Sequence, residues 1–171
     1  MYHRTIVPFE LLKMMTNVEI NKQARLSEHF TLAELCKTSA KTADGNIPSH
    51  VHIENMKHLC GWLEMLRSEW NKRYGEGDDP IVINSGYRSE AVNKAVGGMK
   101  GSNHLTGCAA DIRVAGIEQL VRYATILLDI SDESQEDFDE LLLEHSSKGG
   151  YWLHFAVRPS GNRRKIQLIQ T

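Results

Sequence analysis

His104 and Asp111 stand seven residues apart, with Gly107, Ala109 and Ala110 between them. On a continuous helix that spacing would put both on one face. Gly107 and the strand-like run Asp111-Ile112-Arg113-Val114 argue instead for a loop running into a strand. The small residues then let the backbone fold closely enough for both side chains to meet one ion. His154 occupies a polar position in an otherwise apolar, alternating segment, and Glu144 ends the segment before it. If these two segments pair as a hairpin, Glu144 and His154 approach the same pocket. Two imidazoles and one carboxylate make a tetrahedral zinc set with one position open for water. Zinc lowers the pKa of such a water to roughly 7. A nearby carboxylate off the metal can take its proton and pass it to a leaving amine. Taken singly, each residue has a plainer reading: strand histidines usually pack, and a lone Arg88 or Glu144 usually faces solvent. The combination points to a hydrolytic metal site.

The elements that must position these residues can be read from caps and periodicity. Thr31-Leu32-Ala33-Glu34 is a capping box that starts a short helix. Met56, Leu59, Leu63, Leu66 and Trp70 recur at 3, 4, 3 and 4, which predicts a long amphipathic helix over about 49–74 with its stripe in the core. Ile81 to Asn84 reads as a buried strand, Ser89 to Val96 as a short helix stopped by Gly97-Gly98, and Ala109 to Val114 as a strand. Ile117, Leu120, Val121, Ala124 and Leu128 mark another helix, followed by an acidic loop from Asp129 to Asp137. Two strands, Phe138 to Glu144 and Tyr151 to Val157, joined by a long hairpin connection, are expected to close the domain. Alternation puts Leu141 and Leu143 on one face and Leu142 and Glu144 on the other. It puts Leu153, Phe155 and Val157 inward, with Trp152, His154 and Ala156 opposite. The expected class is α+β, with a small central, largely antiparallel sheet flanked by helices.

Composition narrows the function. The 171 residues suit one domain with an arm, so residues 1–25 are expected to form an N-terminal arm and 26–171 the domain. A net charge of −2 leaves no basic excess for phosphates, so no nucleic-acid partner is expected. No apolar run approaches the ~20 residues of a membrane helix. The start is broken by Pro8 and Glu10 and lacks the features of a signal peptide, so synthesis in the cytoplasm is expected. Cys36, Cys60 and Cys108 are odd in number and suggest no disulfide framework. Cys108, between His104 and Asp111, is expected only to pack. His50, His52 and His58 lack the spacing of a helical metal pair.

Ser102-x-His104-x-x-Gly107-x-Ala109-x-Asp111 matches in full the S-x-H-x-x-G-x-A-x-D signature of the zinc D-Ala-D-Ala peptidases, a family of LAS-type metallopeptidases. Trp152-x-His154 resembles the second histidine motif of its phage and Bacteroidetes branch. Ser27-Glu-His-Phe-Thr-Leu-Ala-Glu-Leu35, Gly86-Tyr-Arg-Ser89 and Asn93-x-x-Val-Gly-Gly98 also resemble that branch. The resemblance runs roughly from Leu26 to Arg164. It implies a LAS/hedgehog-like fold and one zinc per chain held by His104, Asp111 and His154. It implies that Arg88 holds a substrate carbonyl or carboxylate and that Ser102 lies near the substrate. The residue three before His154 is Tyr151, where many members carry the basic Glu. Phe138-Asp139-x-x-x-x-Glu144 is similar to the corresponding segment of the hedgehog domain, which implies Glu144 as the base, with His145 beside it.

The implied function is a zinc metallopeptidase that hydrolyses a bond in peptidoglycan stem peptides, as a D-Ala-D-Ala carboxypeptidase or an endopeptidase. Endolysin-like cell-wall degradation from a prophage is the implied setting. A monomer is expected, reaching the wall after lysis or by non-classical export. The alternative is a non-catalytic, zinc-stabilised module that binds cell-wall peptide.

Overall fold

In the computed structural model, which describes residue 21 and residues 23–171, Thr31 caps a four-residue helix α1, Leu32–Leu35. The reciprocal bonds of the capping box are both present, and Leu32 and Leu35 are buried. Most of the expected arm lies outside the described residues; Ala24 and Leu26 pack against the core. Ser49 caps α2, His50–Arg73, with His52 reaching back to complete the cap. The whole stripe from Met56 to Trp70 is buried, as its period requires, and Cys60 and Trp62 widen it. Strand β1 is Ile83–Ser85, α3 is Glu90–Ala95 capped by Ser89, and a single 3-10 turn spans Asn103–Thr106. Strand β2, Ala109–Arg113, leads to α4, Ile117–Ser134; β3, Glu140–His145, and β4, Tyr151–Ala156, form the hairpin; β5 is Lys165–Gln170.

The sheet order is β1-β2-β4-β3-β5. All neighbours are antiparallel except β5, which runs parallel to β3. The class is therefore α+β with a mostly antiparallel sheet, as expected. One face packs on α2 and α4: Ile112, Leu141, Leu153 and Phe155 are fully buried there, and the Trp62 ring lies 5.5 Å from that of Phe155. The other face carries the polar members of the same strands.

Four expectations are corrected. The hairpin does not close the domain, because β5 adds a fifth strand at the sheet edge. Its Ile166 and Leu168 are exposed, so it has no buried apolar alternation to reveal it. The acidic stretch after Asp129 is mostly helix: α4 continues to Ser134 and stops at Gln135 in the left-handed conformation. Ile117 and Val121 face solvent, because the buried stripe of α4 runs through Leu120, Tyr123, Leu127 and Ile130. Ile81 to Asn84 is not a buried strand. It leads into an edge strand, and Val82 and Asn84 are exposed beside buried Ile81 and Ile83. Among the described residues, no helix is long and apolar enough to cross a membrane.

Trp62 joins helix and sheet, so Trp62→Ala should cost about 3–5 kcal/mol in urea unfolding. Val51→Ala, on the exposed side of the same helix, should stay within about 0.5 kcal/mol.

Candidate metal centre

His104 is placed by a turn with little freedom. The Ser102 hydroxyl accepts the His104 N–H at 3.3 Å and caps the turn. Gly107 ends it at φ 74°, in the left-handed region that favours glycine. A Cβ at Gly107 would lie 2.6 Å from the His52 carbonyl oxygen of α2. Cys108, Ala109 and Ala110 then run into the sheet almost fully buried. The small residues between His104 and Asp111 thus do what their sizes suggest: they let the turn lie against α2. Asp111 sits in β2 directly opposite His154 in β4.

The three side chains converge. Among the described residues, His104, Asp111 and His154 form a group whose donor atoms lie within 4.8 Å of one another. His104 Nδ1 is 2.7 Å from the Gly86 carbonyl oxygen. A carbonyl only accepts, so Nδ1 carries the proton. Burial pushes the pKa of His104 down against the pull of Asp111, which favours neutral imidazole. Its Nε2 is then a bare lone pair, 3.2 Å from Asp111 Oδ1. Two facing acceptors are unfavourable unless a cation joins them. His154 Nδ1 lies 2.9 Å from the same Oδ1. Burial opposes charge on His154, but the bond to Asp111 and the carboxylates of Glu140 and Glu144 nearby outweigh it and push its pKa up to about 9. Burial likewise opposes ionisation of Asp111, yet the bond from His154 holds it well below the usual carboxylate range. A field that favours a proton here also favours a metal cation. Two nitrogens and one carboxylate oxygen suit zinc.

The other expected residues surround this group. Arg88 donates from Nη2 to Asp111 Oδ2 at 2.6 Å and from Nε to Ser85 at 2.9 Å. Ser102 sits at the cap of the His104 turn. Glu144 pairs with Trp152, two residues from His154, while Leu142 is directly opposite His154. Cross-strand partners share a face, so Glu144 lies on the side of His154, diagonal to it. Burial raises the pKa of Glu144; the positive His154 opposes this. His145 is one residue on and faces the other way, with its ring 6.0 Å from that of Tyr151. Cys108 is outside the donor group, and burial raises the pKa of its thiol. His52 caps α2 and lies against Tyr87, and His50 is exposed beside Glu54.

Sequence reasoning missed a second layer of polar residues. Asp139, fully buried, accepts from Asn103 at 2.7 Å, from Arg163 at 2.7 and 2.8 Å and from Arg158 at 2.6 Å. Glu140 Oε2 accepts from Asn103 at 3.0 Å and lies 3.5 Å from His154 Nε2. Asn103, next to His104, therefore ties the turn to the start of β3. The Phe138-Asp139 segment was visible in the sequence, but its partners at 103, 158 and 163 were not.

A sequence model of the peptidase M15 family matches residues 28–132, more than half of the chain. The chain belongs to the peptidase M15 family. A zinc D-Ala-D-Ala carboxypeptidase of Streptomyces albus G is similar to it, 32% identical over 84 residues. That match covers 49% of this chain and 31% of the Streptomyces protein. The peptidase family expected from the motifs is thus the family found, and the His104, Asp111 and His154 donor set is of a kind that suits zinc. The family match includes Arg88, Ser102, His104 and Asp111. His154 lies beyond it and joins the group through the sheet, and Glu144, also beyond it, lies on the same sheet face.

Gly107→Ala tests how the turn is built. The left-handed φ and the 2.6 Å approach to His52 should destabilise the fold by more than 1 kcal/mol, as for other strained backbone sites. Zinc affinity, measured by chelator competition, should fall with it as His104 moves.

Proposed function

We propose that the chain is a zinc metallopeptidase that hydrolyses a peptide bond in peptidoglycan stem peptides, as a D-Ala-D-Ala carboxypeptidase or an endopeptidase. The observation that carries this reading is the convergence of His104, Asp111 and His154, with Glu144 on the same sheet face. His104 would bind through Nε2, His154 through Nδ1 and Asp111 through Oδ1. When bound, zinc supplies a water acidified to a pKa of about 7 and a Lewis acid for the scissile carbonyl. Glu144 takes the proton of the attacking water as the oxygen–carbon bond forms. It returns a proton to the amide nitrogen as the carbon–nitrogen bond breaks. Arg88 is braced through Nε and Nη2, which leaves its other N–H groups for a substrate carbonyl or terminal carboxylate. Ser102 lines the approach beside His104. The same reading includes a monomer that degrades cell wall in the manner of a phage endolysin, reaching its substrate after lysis or by non-classical export.

Mass spectrometry of purified peptidoglycan incubated with the zinc-loaded protein tests the proposal. New amino or carboxyl termini are expected, and their position separates carboxypeptidase from endopeptidase. Binding without new termini would instead mark a non-catalytic cell-wall module.

Alanine at His104, Asp111 or His154 should lower zinc occupancy and abolish cleavage. Unimpaired zinc binding in His154→Ala would reject the ligand set. Glu144→Gln should keep zinc and lose roughly 10²–10⁴-fold in turnover. Loss of zinc in that variant would make Glu144 a ligand, and full turnover would place the base elsewhere.

The base must be ionised to work. Burial raises Glu144 above the ordinary 4.5, so kcat/KM should fall as pH drops through a value above 4.5. A pH–rate profile without that acid limb would remove Glu144 from the role.

A further inference from the structure

One buried polar atom of the centre has no task in the mechanism above. His154 is only 7% exposed, and its Nε2 has no hydrogen bond of good geometry. Glu140 Oε2 lies 3.5 Å from it, at the outer limit of such a bond. We infer that Glu140 is the positioning residue of His154: its Oε2 accepts the Nε2–H and so turns bare Nδ1 toward Asp111 and the metal. The inference rests on the reading of His104, Asp111 and His154 as zinc ligands.

Strand geometry explains why this acid and not its neighbour holds the histidine. Glu140 and Glu144 are four residues apart on β3 and share a face. Leu142, between them, is the direct partner of His154. The two carboxylates therefore flank the histidine from opposite ends. Glu140 is held on every side. Oε2 accepts from Asn103 at 3.0 Å, and Oε1 pairs with Arg163 at 2.9 Å and Lys165 at 3.3 Å. A carboxylate so engaged is poorly suited to carry a proton between water and amine, and well suited to stay still. Among the described residues Glu144 makes no such ion pair, which fits it to move a proton.

The arrangement also matches the other imidazole. His104 has its Nδ1–H on the Gly86 carbonyl, so its Nε2 faces Asp111. His154 would have its Nε2–H on Glu140, so its Nδ1 faces the same oxygen. Each ring is oriented by an acceptor behind it, which fixes its tautomer and raises its basicity as a ligand. Asn103 links the two supports, because it neighbours His104 and donates to both Glu140 and Asp139.

Zinc affinity of the full chain, by competition with a chromogenic chelator, tests the inference without reference to turnover. Glu140→Ala should weaken zinc binding about 10–100-fold. Glu140→Gln keeps an accepting carbonyl and should recover most of that loss. A general loss of fold would not be rescued in this way when both variants unfold alike in urea. Nitrogen-15 NMR of the zinc-loaded wild type gives a second measurement that needs no variant. His154 should carry its proton on Nε2 and the metal on Nδ1. Wild-type affinity in Glu140→Ala, or a metal on Nε2 of His154, would overturn the role of Glu140 and leave the ligand set standing. Absence of zinc uptake by the wild type, or unimpaired uptake by His154→Ala, would sink the ligand set and this inference with it.

Discussion

Asp111 meets His154 only because β2 and β4 pair in one register. Their antiparallel ladder sets Asp111 opposite His154, with Ile112 opposite Leu153 one step along. A slip of one residue would turn Asp111 into the apolar face and bring Ile112 to the polar one. The core prevents this. Ile112, Leu153 and Phe155 are fully buried against α2 and α4, and Trp62 closes on Phe155. Burial of one face therefore aligns the chemistry on the other. At about 25 cal/mol per Å² of apolar surface, several large side chains hold the register far more firmly than one polar contact could.

On the polar face, a few carboxylates are shared among many donors. Asp111 meets His104, His154 and Arg88; Asp139 meets Asn103, Arg158 and Arg163. Buried charge is costly unless every oxygen is occupied. These acids meet that condition with partners from distant parts of the chain. The same contacts therefore orient the candidate centre and fasten the turn at 103–106, the hairpin and the segment before β5 to one another. Such a network is rigid when complete, which suits a site whose donors must stay within a few tenths of an ångström of their places.

The division of the chain bears on function. The family match ends at residue 132, before the hairpin that carries Glu144 and His154. The matched part builds the helices, Arg88 and the His104–Asp111 loop; the hairpin completes the donor set and supplies both flanking acids. Neither part forms the centre alone. Similarity to the Streptomyces carboxypeptidase likewise covers only 31% of that protein, so the likeness does not by itself assign a bond to this chain.

Much of this was legible in the chain itself. The capping box at Thr31, the stripe of α2 and the alternation of β4 are local patterns, and local patterns follow from backbone sterics and the burial of one face. Gly107, Ala109 and Ala110 announced a close approach because only small residues permit one. His104, Asp111 and His154 had plainer readings one by one, and only their combination pointed to a metal site. The path of β5 was hidden, because an edge strand with exposed Ile166 and Leu168 buries too little to show a period. The end of α4 was hidden as well, since acidic residues at a helix terminus read like a loop. Gly86, Asn103, Asp139 and Glu140 gained their partners only when strands and turns came together. A hydrogen bond between residues 36 apart, as from Asn103 to Asp139, leaves no spacing in the sequence to read. The sequence by itself determined which groups could bind a metal and which faces must be buried, since both follow from side-chain chemistry and local period. Only the tertiary structure decided which nitrogen of each histidine faces Asp111 and which oxygen lies nearest the other, because those depend on how turn and strands come together.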